Sequence, residues 1–264
     1  MRRLRSLAGT VSVTVVVLLM TMLLAAAKER LVVSLSNQRV SINSVFSGAE
    51  LVLFGAIERD GTSPERRFGY DIVAIITGPR QSLLTLRKDR VVGIWVNVES
   101  RTFLDVPSYL AILANRPFDQ IARPAVLHRL KIGFDNTILT QRIGPDFADV
   151  VREDSFRQAF LRLQGERKLY LETPNAVTFL APTLFRASVP LPAEALVGSY
   201  AVEVMLFAEG EMTARTTSAF EISKVGFERF VVVAAHDYGL LYGIATVMMA
   251  LMTGWLASIV FRRD

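Results

Sequence analysis

The chain has 264 residues, 51% of them hydrophobic, with a mean hydropathy of +0.36 and a formal net charge of +5. That length holds one sizeable domain, or two small ones, beside membrane segments. The absence of cysteine excludes disulfides, thiolate metal ligands and cysteine nucleophiles together, and two histidines, His128 and His236, argue against a multi-histidine metal site.

A pI of about 9.7 invites a nucleic-acid reading. The position of the charge argues against it. Without Arg2, Arg3 and Arg5 and the tail Arg262-Arg263-Asp264, the chain keeps 25 basic and 24 acidic residues. The excess is topogenic, and no nucleic-acid partner is expected.

Residues 1–27 run from Met-Arg-Arg-Leu-Arg through the apolar stretch Val11–Leu24 to Ala25-Ala26-Ala27. This is the order of a secretory signal, with cleavage after Ala27. Leu7–Ala27 is also long enough to remain as an N-terminal anchor. In both readings the arginines stay in the cytoplasm and the body lies outside.

Residues 28–116 read as a β-rich portion. Expected strands are Leu31–Leu35, Arg39–Ile42, Ala49–Ile57, Tyr70–Ile76 and Val91–Asn97, with a loop at Arg59–Pro64 and a stop at Gly78-Pro79. Trp95 is expected in the core. Residues 117–170 change character and read as a helical insertion. Apolar residues from Phe147 through Val150, Val151 and Phe156 to Leu163 predict a helix over 146–163 ended by Gly165, with a shorter helix near Arg123–Lys131. Residues 171–225 return to strands: Val177–Leu180, Leu184–Val189, Gly198–Phe207 and Thr213–Ser223. Gly198-x-Tyr200 opening a long strand, followed by a Glu-Gly-Glu turn, resembles the last hairpin of immunoglobulin-like bacterial domains. The fold class is therefore mainly β: an immunoglobulin-like β-sandwich with a helical insertion and a C-terminal transmembrane helix. One interrupted sandwich and two small β domains both satisfy the pattern.

Residues 226–237 form a juxtamembrane segment whose Phe227, Phe230, Val231 and Ala234 share one helical side, suited to a membrane surface. Residues 238–261 carry no charge and span about 36 Å as a helix. Tyr238, Tyr242 and Trp255 suit the interfaces, and Arg262–Arg263 in the tail 262–264 mark the cytoplasmic side. Gly239, Gly243, Ala250, Gly254 and Ser258 make one small face for a helix–helix contact, with another membrane protein or a second copy.

No catalytic motif is present, no cofactor is implied, and Asp105, Asp119, Asp135 and Asp149 show no pairing in their spacing. Arg80, Arg87, Lys88 and Arg90 form a local basic cluster suited to an anion or to acidic lipid. A solvated hairpin edge is the alternative.

Phe46-x-Gly-Ala-Glu-Leu-x-Leu-Phe-Gly-Ala56, Gly78-Pro79 with Lys88, Gly93-Ile-Trp-Val-Asn97, Gly226-Phe-Glu-Arg229, Leu241-Tyr-Gly243 and Gly254-Trp255 together resemble an uncharacterised family of alphaproteobacterial transmembrane proteins. The resemblance implies a signal plus one C-terminal span, and company with a sulfite-exporter-type permease. It implies no activity. The expected protein is single-pass in the inner membrane, its main domain in the periplasm and its C-terminus in the cytoplasm. Its expected role is a non-enzymatic interaction or accessory module. The alternative is an anion-binding or sensing subunit of a transporter, with an envelope hydrolase third.

Overall fold

The computed structural model describes residues 29–43, 46–59, 69–143, 146–149, 153–224 and 227–260. The expected signal or anchor, Val150, Val151 and the Arg262–Asp264 tail lie outside them. The fold is mainly β, with several sheets and one C-terminal apolar helix.

Period-2 alternation builds the first sheet. Its strands are β1 (Arg30–Leu35), β3 (Gly48–Glu58), β12 (Leu184–Pro192) and β11 (Val177–Ala181), antiparallel in the order β1-β3-β12-β11. Leu51, Leu53 and Ile57 of β3, with Phe185, Ala187, Val189 and Leu191 of β12, face inward and are buried. Gly55 has a steric reason to be glycine. It pairs with Phe185, and a Cβ there would fall 2.1–2.8 Å from that ring.

The second sheet has six strands in the order β10-β7-β4-β13-β14-β2. They are β10 (Tyr170–Thr173), β7 (Leu110–Ala114), β4 (Asp71–Thr77), β13 (Gly198–Ala208), β14 (Glu211–Lys224) and β2 (Arg39–Ile42). The outermost pairs, β10 with β7 and β14 with β2, are parallel; the inner pairs are antiparallel. All five residues of β7 are buried, so this strand is covered on both faces. Tyr200, Val202, Val204 and Leu206 join residues of the first sheet in one core. The Tyr200 hydroxyl donates to the Leu196 carbonyl at 2.8 Å, and its ring stacks on Phe220 at 4.9 Å. This ties the loop before β13 to the core.

The third sheet, β5-β6-β8-β9, is antiparallel. It comprises β5 (Arg80–Val91), β6 (Ile94–Pro107), β8 (Thr140–Ile143) and β9 (Asp146–Asp149). Between β7 and β10 run α1 (Phe118–Ile121), α2 (Pro124–Arg129), a 3-10 turn (Phe134–Asn136), β8, β9 and α3 (Ser155–Glu166).

Two expectations need correction. Asp146–Asp149 is strand, and the helix begins only at Ser155, where the Asp154 side chain accepts the Arg157 N–H. Gly165 lies inside that helix rather than ending it. Val91–Asn97 is not one strand: it contains the turn of the β5–β6 hairpin, at Val92–Gly93. The segment 117–170 is therefore mixed, its strands β8 and β9 extending the hairpin's sheet.

α4 (Phe227–Asp237) is followed by α5 (Gly239–Val260), which is about 33 Å long. Gly239–Ile259 is long and apolar enough to cross a membrane, and none of it is buried against the rest of the chain.

Gly55→Ala should lower stability by about 1–3 kcal/mol through overpacking against Phe185. Phe185→Leu in the same chain should recover part of the loss. Urea unfolding of the full chain in detergent measures both; an additive double variant would contradict the collision.

Candidate functional site

The β5–β6 hairpin departs most from what a buried β protein needs. β6 pairs with β8 only at Thr102 and Phe103, so beyond Leu83–Phe103 the two strands run on as a two-stranded arm. From Phe103 to Ile94 it covers about 30 Å.

Its root is clamped by rings and ions. Phe103 of β6 stacks on Phe160 of α3 at 4.3 Å, and Phe160 meets Tyr170 of β10 edge-on at 5.6 Å. The Tyr170 hydroxyl donates to the Pro107 carbonyl at 2.7 Å. Burial pushes this phenol far above its ordinary value, against a smaller opposing pull from Arg80. On the same strand, Arg101 donates to Asp154 at 2.6 Å and to Glu99 at 3.0 Å, and its guanidinium lies 4.3 Å from the centre of the Phe156 ring. Burial pushes Asp154 up, but the Arg157 N–H, Arg101 and Gln141 outweigh it and hold the carboxyl below its ordinary 3.8. The same residue caps α3, so one carboxylate fixes both the helix start and the arm.

The tip is the opposite of a core. Val92 is 97% exposed, Trp95 70% and Ile94 65%, with Val91 exposed as well. Trp95 is thus a surface residue, contrary to the expectation of a core position. It sits two residues from a turn, where no second layer covers it. Both turn residues have positive φ, Val92 at 49° and Gly93 at 85°. Two-residue hairpin loops with that geometry favour Asn-Gly. A β-branched residue there is strained.

The four cations expected to cluster spread along β5. Arg80 at the root donates to the Asp105 carbonyl at 2.7 Å and to its carboxylate at 3.2 Å. Arg87 pairs with Glu99 at 3.3 Å. Lys88 lies opposite Asn97, and Arg90 lies opposite Trp95, its Nε donating to the Gly93 carbonyl at 3.2 Å. Arg80 and Arg90 are ten residues apart on an extended strand, about 33 Å, so they do not serve one small anion. Arg87, Lys88 and Arg90 stay together behind the tip.

A cleft of about 510 Å³ opens at the root, lined among others by Arg80, Asp105, Arg129, Lys131, Glu203 and Arg215. Another, of about 620 Å³, includes Asp71 and Arg116. Asp71 is paired with Arg116 and accepts from Asn115 at 3.0 Å. That pair has the form of a structural contact. Asp105, Asp119, Asp135 and Asp149 lie on separate elements: β6, α1, the 3-10 turn and β9. Among the described residues, no group of three or more His, Asp and Glu side chains gathers to hold a metal ion.

On α5, a Cβ added at Gly239, Gly243 or Gly254 would meet no atom within 4 Å, and Ala250 and Ser258 are exposed. The small face stands open.

These features define a membrane protein: a β-rich body carrying one candidate C-terminal span. The chain belongs to the family described as "Putative transmembrane protein (Alph_Pro_TM)", whose model matches residues 30–263. A comparison with curated proteins finds no match.

Sequence reasoning missed the arm and its root. The missed signal was a β-branched run broken by Gly93 directly after the charged stretch Arg87–Arg90, a hairpin pattern without the usual Asn-Gly turn.

Asp154→Asn should lower stability by about 1–2 kcal/mol at neutral pH through loss of the half-buried ion pair and the charged cap. A depressed carboxyl contributes above its unfolded value of 3.8 and loses that contribution as pH falls through the folded value. The gap between variant and wild type should therefore close in acid. Urea midpoints across pH 2–7 check it; a gap independent of pH would contradict the assignment.

Proposed function

We propose that this chain is a non-enzymatic, membrane-anchored interaction module: an immunoglobulin-like body in the periplasm, held by α5 in the inner membrane, serving a neighbouring membrane protein or a second copy. The observation that carries the reading is the pairing of an apolar, uncovered α5 with a β body that projects a two-stranded arm.

Strand order supports the immunoglobulin-like part. β1-β3-β12-β11 matches the A-B-E-D sheet, and β14-β13-β4-β7 matches G-F-C-C′, with β1 and β2 dividing the first strand between the two sheets. Tyr200 supports it too, since a tyrosine near the start of strand F bonded to backbone a few residues upstream is that fold's corner. On this reading the arm is an insertion between C and C′, and residues 115–176 are a second one between C′ and D. This favours one interrupted domain over two small ones.

The supports for topology are the uncharged run and the Arg262–Arg263 pair after it. Contact through Gly239, Gly243, Ala250, Gly254 and Ser258 is supported by their open face. A reporter active only in the cytoplasm, fused after Asp264, should give signal. The same chain should recover fewer membrane proteins or copies after mild solubilisation when it carries Gly243→Leu and Gly254→Leu. A periplasm-active reporter giving signal instead would sink the topology, and unchanged recovery would sink the helix contact.

A second reading, an anion-binding or sensing subunit working with a transporter such as a sulfite-exporter-type permease, draws on the cleft at the arm's root. Arg129 and Lys131 line it beside Arg80 and Arg215. Asp105 and Glu203 already engage the latter two. Calorimetry of the full chain in detergent with sulfite, sulfate and phosphate should give heat that Lys131→Ala removes. No heat at millimolar anion would discard this reading.

A further inference from the structure

We infer that the tip of the β5–β6 arm is a lipid-contacting device that dips Val92, Ile94 and Trp95 into the surface of a bilayer carrying anionic headgroups. The inference rests on the reading of the chain as a membrane-anchored module and adds a second, separate attachment.

Apolar atoms lie on every side of the tip. Register places Val91 opposite Ile94, and Arg90 opposite Trp95. Val91, Ile94 and Val96 therefore share one face of the ribbon and Trp95 the other, while Val92 closes the end. Apolar surface surrounds the tip on all sides. A flat protein partner covers one face of a ribbon; a fluid hydrocarbon phase covers every side.

The chemistry along the arm changes in the order a bilayer surface does. From the Val92–Gly93 turn to the Arg90–Trp95 pair is about 7 Å, inside the 5–10 Å by which interfacial elements bury their apolar parts. Tryptophan at that level suits the headgroup region. Beside and behind it three cations, Arg87, Lys88 and Arg90, stand against two acids: Asp89, whose carboxylate accepts the Arg90 backbone N–H at 2.7 Å, and Glu99, which pairs with Arg87 at 3.3 Å. Basic side chains at the depth of the headgroups favour anionic lipid.

The turn is also strained. At φ 49° the turn would be better served by asparagine, which tolerates this conformation. Valine occupies it, 97% exposed. Strained positions persist where function holds them. A tip that must be apolar is such a function.

The chain has two tryptophans, Trp95 on the tip and Trp255 in α5, so single-tryptophan variants read the two attachments apart. The full chain carrying Trp255→Phe is placed in nanodiscs of neutral or anionic brominated lipid. A second arm adds brominated vesicles to unbrominated discs, to read a hairpin that reaches an opposing bilayer. Trp95 should be quenched with anionic lipid in one of the two arms, and Val92→Asn should reduce the quenching about three- to tenfold. That variant relieves the turn, so its thermal midpoint should be equal or higher, which separates lost contact from lost folding. Trp95 left unquenched in both arms, or quenched equally without anionic lipid, would overturn the inference. So would a photo-crosslinker at position 92 that captures protein rather than lipid in native membranes. The companion Trp95→Phe chain reports Trp255: no quenching there sinks the anchor instead, independently of the tip.

Discussion

A two-stranded ribbon is at best marginally stable in water, because neither face buries enough to offset the entropy of ordering it. The arm of this protein therefore depends on its root, where Phe103, Phe160 and Tyr170 meet. These three rings come from β6, α3 and β10, so one aromatic cluster joins the third sheet, the helix and the edge of the six-stranded sheet. The Tyr170 hydroxyl closes the arrangement on the Pro107 carbonyl, at the point where β6 ends. Arg101 works one turn of the pleat further out. Its ion pair with Asp154 crosses from the arm to the cap of α3, and the stacked Phe156 shields it from solvent. Loss of this root would leave the strands beyond it with little besides their own ladder.

The body can hold such an arm because its core is settled elsewhere. Tyr200, Phe185 and the inward residues of β3, β12 and β13 fill the space between the first two sheets without any residue of the arm beyond Phe103. The tip is thus free to carry side chains that a core would otherwise claim. Its Val-Gly turn makes sense only on those terms. Val92 is 97% exposed, so core packing does not hold this β-branched residue at positive φ.

The alternating strands were legible in the sequence because one face of each is buried: Leu51, Leu53 and Ile57, or Tyr200, Val202, Val204 and Leu206, appear as period-2 runs. The arm was not legible for the complementary reason. Its exposed strands have no core face to impose alternation, and a run of Val, Ile and Trp then reads as a buried strand. The region before α3 failed differently. Apolar residues three and four apart fit a helix, but Asp146–Asp149 pairs with β8 instead, and the capping aspartate at 154 marked the true start. Of the basic cluster, the sequence showed its members but not their spread, because spacing along a strand is invisible until the strand is known to be extended. The C-terminal span needed no tertiary information at all. Composition alone defines it.

That contrast bears on how the molecule is attached. α5 carries no charge, and beyond its small residues and the rings of Tyr242 and Trp255 it is uniformly apolar, so it distinguishes membrane from water but says little about which lipid lies outside. The arm is differentiated along its length: ion pairs at the root, cations behind the tip, aliphatic and indole groups at the end. A single attachment point constrains a body's orientation less than two do. A second, weaker contact of different chemistry removes that freedom at small cost, since tethering has already supplied the effective concentration. The lipid affinity required of Val92, Ile94 and Trp95 is then modest, within what an apolar surface of only a few residues supplies.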